Sequence, residues 1–233
     1  MSKPLAVIVG VGSGLSASLS RVLAGAGYDL VLTARDINKI NTLSEEIGAR
    51  TVAADATDPA AISSLFDGLP TSPRVVIYNP SARVRGPVAE LDAEEVRRAI
   101  DVTAFGAFLT GQAAARQMLE NTGDVRGTIL FTGASAGFKG FANSAPFAMG
   151  KFAQRGLAQA MARELHPKGI HVAWINIDGG IRNPKRPERV DAADRPDSML
   201  CPDAIARAYL GLIEQDRSAW SDELTLRPWV ESY

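Results

Sequence analysis

The chain has 233 residues, enough for one α/β domain with a full core, and a net charge of −1, which argues against a nucleic-acid or membrane surface. Its single cysteine, Cys201, excludes an internal disulfide and fits a reducing cytoplasm. A first strand beginning by residue 5 leaves no room for a signal peptide, and no apolar run reaches membrane-span length. The expectation is a cytoplasmic protein whose partner is a small-molecule substrate, with no nucleic acid and no membrane.

Residues 5–9 form a short apolar run suited to a strand buried on both faces. Gly10-Val11-Gly12-Ser13-Gly14 follows and opens a helix over 15–26. Glycines in such a turn allow close approach of a pyrophosphate, and the helix N-terminus offers free N–H groups and a positive dipole end. Gly10, Ser13, Gly14 and Leu15 are therefore candidate nucleotide contacts, with an ordinary tight turn as the alternative. A third glycine is expected at position 16, where this chain has Ser16.

A second strand over 29–33 ends at Ala34-Arg35-Asp36. A carboxylate at position 34 would accept both ribose hydroxyls of NAD. With Ala34 there and Arg35 beside it, the pattern suits the 2′-phosphate of NADP, NAD remaining an option, unless Arg35 is a solvated residue at the start of a helix over 37–47. The third strand, 51–54, leads to Asp55 and Ala56. Asp55 would accept from an adenine amino group or cap the helix over 59–66. The fourth strand, 74–78, leads to Asn79-Pro80-Ser81, a turn beside the cofactor, and then to Arg83 and Arg85. These two arginines recognise an anionic substrate or, more simply, belong to a solvated loop.

A long helix is predicted over 92–120, a strand over 128–131, a helix over 144–166 and a strand over 171–176. Asp178-Gly179-Gly180-Ile181 follows. The polar stretch 182–198 comes after a strand and reads as a lid near 182–200 rather than a linker. A last helix, 202–214, has a proline in its first turn, and a last strand covers 223–226. Trp220 and Trp229 suit a subunit interface or internal burial equally. His166 and His171 lie next to no cluster at ligand spacing, so no metal is expected. Met149 and Phe152 read as packing residues. With no repeat and no boundary, residues 1–233 read as a single α/β domain. Its mainly parallel seven-stranded sheet is covered by helices on both faces.

These pieces together resemble the short-chain dehydrogenase/reductase family over nearly the whole chain. The resemblance rests on the opening glycine turn, Asp55, Asn79, Lys151 in a helix, and residues 178–181, which look like the family's Pro-Gly-x-Ile/Val stretch. It implies a Rossmann-type three-layer α/β/α sandwich, an NAD(P) cofactor, and a homodimer or homotetramer built partly from the long central helices. It also implies that the backbone of Gly179 and Ile181 holds the nicotinamide amide, and that Lys151 grips the ribose.

The family's proton donor is a tyrosine four residues before that lysine, where positions i and i+4 share a helix face and the ammonium lowers the phenol pKa. Here that residue is Phe147. The serine expected thirteen residues earlier is Ala134, with Ser135 beside it, and the asparagine expected on the central helix is Thr103. Of these four positions only Lys151 keeps its residue type. A phenyl ring cannot donate a proton, so three readings stay open. One is an oxidoreductase acting on a small carbonyl, alcohol or related substrate with another proton source: Ser135, Ser81, Tyr78, Ser144 or water held by Lys151. Ser144 also reads as a helix N-cap, and Tyr78 as core. The second is a cofactor-binding protein that senses or scaffolds. The third is a non-redox enzyme with Phe147 lining its pocket. No motif specifies the substrate.

Overall fold

The computed structural model describes residues 3–231 except 184 and 187. Seven strands form one sheet: β1 (Leu5–Val9), β2 (Asp29–Ala34), β3 (Arg50–Ala53), β4 (Val75–Tyr78), β5 (Gly127–Thr132), β6 (Ile170–Ile177) and β7 (Glu223–Leu226). Their order is β3-β2-β1-β4-β5-β6-β7 and every neighbouring pair is parallel, so the sheet expected to be mainly parallel is parallel throughout. Parallel strands need long crossovers, and the helices between them supply these. They are α1 (Leu15–Gly25), α2 (Asn41–Ile47), α3 (Pro59–Asp67), α4 (Ala93–Ile100), α5 (Gly106–Leu119), α6 (Ala145–Leu165) and α7 (Pro202–Ile213).

Side-chain alternation along the strands divides the interior into two cores. Ala6 and Ile8 of β1 join Leu19, Leu23, Leu43, Ile205 and Tyr209 from α1, α2 and α7. Leu5, Val7 and Val9 join Ile62, Phe66, Met118, Ala158 and Leu165 from α3, α5 and α6. Helices on both faces are the reason β1 and β4 are apolar at every position rather than at alternate ones. Among the described residues no helix is long and apolar enough to cross a membrane.

The helix predicted over 92–120 is interrupted. A π turn, Asp101–Phe105, separates α4 from α5, and the Gly106 N–H bonds to Asp101 O. Carbonyls in this turn find partners outside the helix: Tyr78 Oη donates to Val102 O, and Gln154 Nε2 donates to Thr103 O at 3.0 Å. Periodicity alone cannot show such a turn, because its compensation comes from β4 and α6. The helix expected over 37–47 likewise begins as a 3₁₀ turn, Ile37–Ile40.

From β1 the chain moves outward to β2 and β3, then returns past β1 to β4. The carboxyl ends of β1 and β4 therefore border a crevice, the place where ligands bind in open parallel sheets. Asn79 Nδ2 donates to Gly10 O at 3.4 Å across it.

Gly106 enters α5 where a Cβ would fall on Tyr78 Oη and 2.7 Å from Ala56 O. Backbone cannot yield, so Gly106→Ala is expected to cost about 1–3 kcal/mol. Gly156, exposed in α6, has nothing within 4 Å of the same position. Gly156→Ala is expected to gain about 0.5–1 kcal/mol. Urea unfolding of both variants checks this, and equal effects would refute the packing described for α5.

Candidate functional site

The turn after β1 is shaped for close approach. Gly10 has φ +80°, and a Cβ there would lie 2.5 Å from Pro80 Cγ, so glycine is required on both counts. A Cβ on Gly12 would enter open space. No side chain caps α1, which leaves its first amides facing the cavity. Ser16 explains the missing third glycine: its Oγ accepts from Gly12 N at 2.9 Å and ties the loop to the helix.

This cavity measures about 700 Å³. Arg35, Lys39, Lys185 and Arg186 border it, against one carboxylate, Asp36, which lies 3.4 Å from Lys39. Arg35, Lys185 and Arg186 make no ion pair among the described residues. Open amides and surplus positive charge fit a phosphorylated nucleotide. Asp55 and Ala56 do not border the cavity. Asp55 Oδ1 accepts from Thr57 N at 2.9 Å and Thr57 Oγ1 at 2.8 Å. Those bonds hold its carboxyl below the usual range, with a smaller contribution from Arg35. The helix-capping role considered for Asp55 falls instead to Asp58, which accepts from Ala60 N at 2.9 Å. Ala56 is buried in the core beneath α5.

A second chamber, about 230 Å³, opens where β1, β4, β5 and β6 end. Gly14, Leu15, Asn79, Ser81, Ala134, Phe147, Lys151, Gly179 and Ile181 all border it, so most of the residues proposed from sequence do converge. Lys151 is only 2% exposed. Its Nζ donates to Thr132 O at 2.5 Å and to Gln154 Oε1 at 3.1 Å. Gln154 Oε1 also accepts from Trp174 Nε1 at 3.3 Å, and Tyr209 Oη donates to Thr132 Oγ1 at 2.9 Å. No carboxylate shares this network. Burial, and secondarily the charge of Arg83, lower the lysine pKa from 10.5 to about 7. Gln154 was missed in the sequence; its position three residues after Lys151 on one helix face was the available signal.

Phe147 is buried, with the Arg83 guanidinium 4.1 Å from its ring centre and Lys151 Nζ 6.0 Å away. Thr103 is wholly buried, and its Oγ1 accepts from Ala82 N at 3.2 Å. Ser135 points its hydroxyl at Asp178, a carboxylate already gripped by Arg227 at 2.6 Å. Tyr78 is buried with its hydroxyl on Val102 O, and burial raises its pKa far above the ordinary phenol value, which removes it as a proton source. Ser144 sits at the N-cap position of α6 without making a side-chain cap bond.

Beyond Phe147 lies a third chamber, about 460 Å³, bordered by Arg83, Arg85, Ser144 and Arg189. The two tryptophans differ. Trp220 is half-buried, stacked on His171 at 4.9 Å, whereas Trp229 is 80% exposed. Among the described residues no group of side chains could hold a metal. His166 and His171 pack against each other and Trp220.

A family model described as short chain dehydrogenase matches residues 4–185. The chain is 30% identical over 199 residues to trans-4-hydroxycyclohexanecarboxylate dehydrogenase of Sinomonas cyclohexanicum, covering 79% of this chain and 74% of that protein. It is 25% identical over 241 residues to an uncharacterized oxidoreductase of Staphylococcus aureus strain N315, covering 98% of each. Among solved structures, a short-chain dehydrogenase from Rhodopseudomonas palustris superposes with a TM-score of 0.77 at 31% identity, covering 96% of this chain and 99% of that one.

The depressed lysine pKa has a consequence for stability. Between pH 7 and 10.5 the unfolded chain holds a proton on Lys151 that the folded chain lacks. Stability therefore rises with pH across that window. Lys151→Met removes this dependence. From about pH 7 to about pH 9 the native protein should gain up to about 3 kcal/mol relative to the variant. Urea titrations without added nucleotide measure it, and parallel profiles would show that Lys151 is charged when folded.

Proposed function

Because the chain belongs to the short-chain dehydrogenase family, we propose that it is an NADP(H)-dependent oxidoreductase acting on a small alcohol or carbonyl substrate, with Lys151 as the centre of proton transfer. One observation carries this reading. Lys151 borders the second chamber with a pKa of about 7, whereas the other ionisable residues there are arginines, which stay charged. A proton affinity near the working pH is what general acid–base catalysis requires.

The residues present fit the cofactor. The amides at the start of α1 would hold its pyrophosphate, Arg35 with Lys39 its 2′-phosphate, and Lys151 with Asn79 its nicotinamide ribose. Gly179 and Ile181 would present backbone to the carboxamide. When bound, the nicotinamide supplies or accepts a hydride. The protein's own part is proton handling and shape. Lys151 donates two hydrogen bonds inward, so an ammonium has one further N–H for the chamber or a water in it. After losing that proton, the neutral amine retains both inward bonds, which limits the cost of the transfer. Ser81 borders the same chamber and offers a hydroxyl on the proton's route. Phe147, standing where the family's tyrosine would stand, gives the chamber an apolar wall.

The segment 182–200 acts as the lid of a single domain spanning 1–233. An Ile181–Leu200 bridge ties its ends, and Asn183, Arg186 and Arg189 reach the chambers from it. Phe105, Phe108, Met149 and Phe152 are exposed on or beside helices α5 and α6, which supports a homodimer or homotetramer through that face. The Sinomonas relative's name supports an alcohol or ketone as substrate.

NADPH is expected to bind at least about tenfold more tightly than NADH, a preference that Arg35→Ala should abolish. Calorimetric titration of both cofactors decides this, and equal affinities in the native protein would remove the NADP assignment.

Phe147→Tyr adds a hydroxyl to a ring near Arg83 and Lys151, and the charge of Arg83, with that of Lys151 when protonated, favours its ionised form. Turnover of simple ketones by NADPH consumption should rise, whereas Lys151→Met should lower it about 10²–10⁴-fold. Native turnover untouched by Lys151→Met would place the chemistry elsewhere. Tight NADPH binding without turnover of any alcohol or ketone would leave a cofactor-binding protein without redox chemistry.

A further inference from the structure

We propose that the third chamber is an anion-recognition site, in which Arg83, Arg85 and Arg189 receive a carboxylate or phosphate ester carried by the substrate while its apolar body lies against Phe147 and Phe141. The proposal rests on reading the neighbouring chamber as the hydride-transfer site, and it adds the substrate's charge and orientation.

The charge balance is the first argument. No Asp or Glu borders this chamber, and none of the three arginines makes an ion pair among the described residues. Nearby cations are treated differently. Arg182 meets Asp191 at 2.9 Å and Asp197 at 3.6 Å, and Arg155 meets Glu223 at 2.7 Å. The fold thus supplies carboxylates around the site and withholds them inside it. The arginines come from two segments, the loop after β4 and the proposed lid, so chain proximity does not explain their meeting.

Geometry is the second argument. Arg83 is exposed as a residue, yet its guanidinium lies 4.1 Å from the Phe147 ring centre. A guanidinium stacked on an aromatic face keeps its N–H edges free for a bidentate anion. Crowding is visible in its acidity: burial against the ring, then Arg189 and Arg85, push its pKa below the ordinary value. An anion relieves that repulsion. It also offsets the Arg83 charge that Lys151 feels, favouring the ammonium that donates the proton. Phe141, Ala142, Ala134 and Ile177 supply apolar wall around the cations.

The test is calorimetric titration of the purified protein, with and without NADP⁺, using 4-acetylbenzoate, 4-acetylphenyl phosphate and neutral 4-acetylbenzamide. At least one anion should bind about tenfold more tightly than the amide, and the preferred one identifies carboxylate or phosphate. Arg83→Gln and Arg85→Gln should each remove that advantage and leave amide binding in place. Raising NaCl from about 50 to about 500 mM should weaken only the anion. Arg85 borders the third chamber alone, so Arg85→Gln should keep native NADP⁺ affinity, which also reports that it is folded. The proposal is overturned if the amide binds as tightly as both anions, if neither anion binds, or if the arginine variants change nothing. Loss of the preceding reading has a separate signature: no NADP⁺ binding, whatever the anions do.

Discussion

The site is organised around one buried amine that has no carboxylate partner. Among the described residues Lys151 reaches only a backbone carbonyl and a side-chain amide, Thr132 O and Gln154 Oε1. An ammonium in that position is costly and a neutral amine is not, because both inward bonds need donors rather than charge. The surrounding structure serves those two acceptors. Thr132 ends β5 and its hydroxyl is fixed by Tyr209 of α7, while Gln154 is fixed by Trp174 of β6 and by the π turn through Thr103 O. Elements from both faces of the sheet thus hold the two acceptors, while burial and the charge of Arg83 lower the lysine pKa. In such a network a change at any member reaches the lysine.

Phe147 stands four residues before Lys151 on α6, is buried, and presents its ring as a surface. The Arg83 guanidinium lies 4.1 Å and Lys151 Nζ 6.0 Å from the ring centre. The ring walls two chambers at once.

Positive charge is distributed with the same economy. Arg182, at the edge of the second chamber, is matched by Asp191, and Arg227 by Asp178. In the third chamber Arg83, Arg85 and Arg189 make no ion pair among the described residues. This distribution arises although the whole chain has a net charge of −1, so overall composition conceals a local field.

Much of this was legible in the sequence. Apolar runs alternating with helical periods gave the parallel sheet because burial on both faces favours near-continuous apolar strands such as β1 and β4. The opening turn was legible because a glycine run between a short apolar strand and a helix is a pattern local to a few residues; the close approach of Pro80 to Gly10 came only with the fold. The convergence of Asn79, Ala134 and Gly179 followed from the rule that strand ends share one edge, and Phe147 and Lys151 reach the same chamber from α6. What the sequence left undecided depended on groups far apart in the chain. The π turn exists because Tyr78 and Gln154 take up its carbonyls. Ser135 turns toward Asp178, and Asp58 rather than Asp55 caps α3, because local hydrogen-bond geometry selects among equivalent residue types. For Arg83 and Arg85 the sequence left anion recognition and a solvated loop both open, and only the fold brought Arg189 to the same chamber. Sequence determined which elements form, since periodicity and turn chemistry act over a few residues. Tertiary structure alone decided protonation and charge pairing, since desolvation and Coulomb energy depend on distances that the order of residues does not contain.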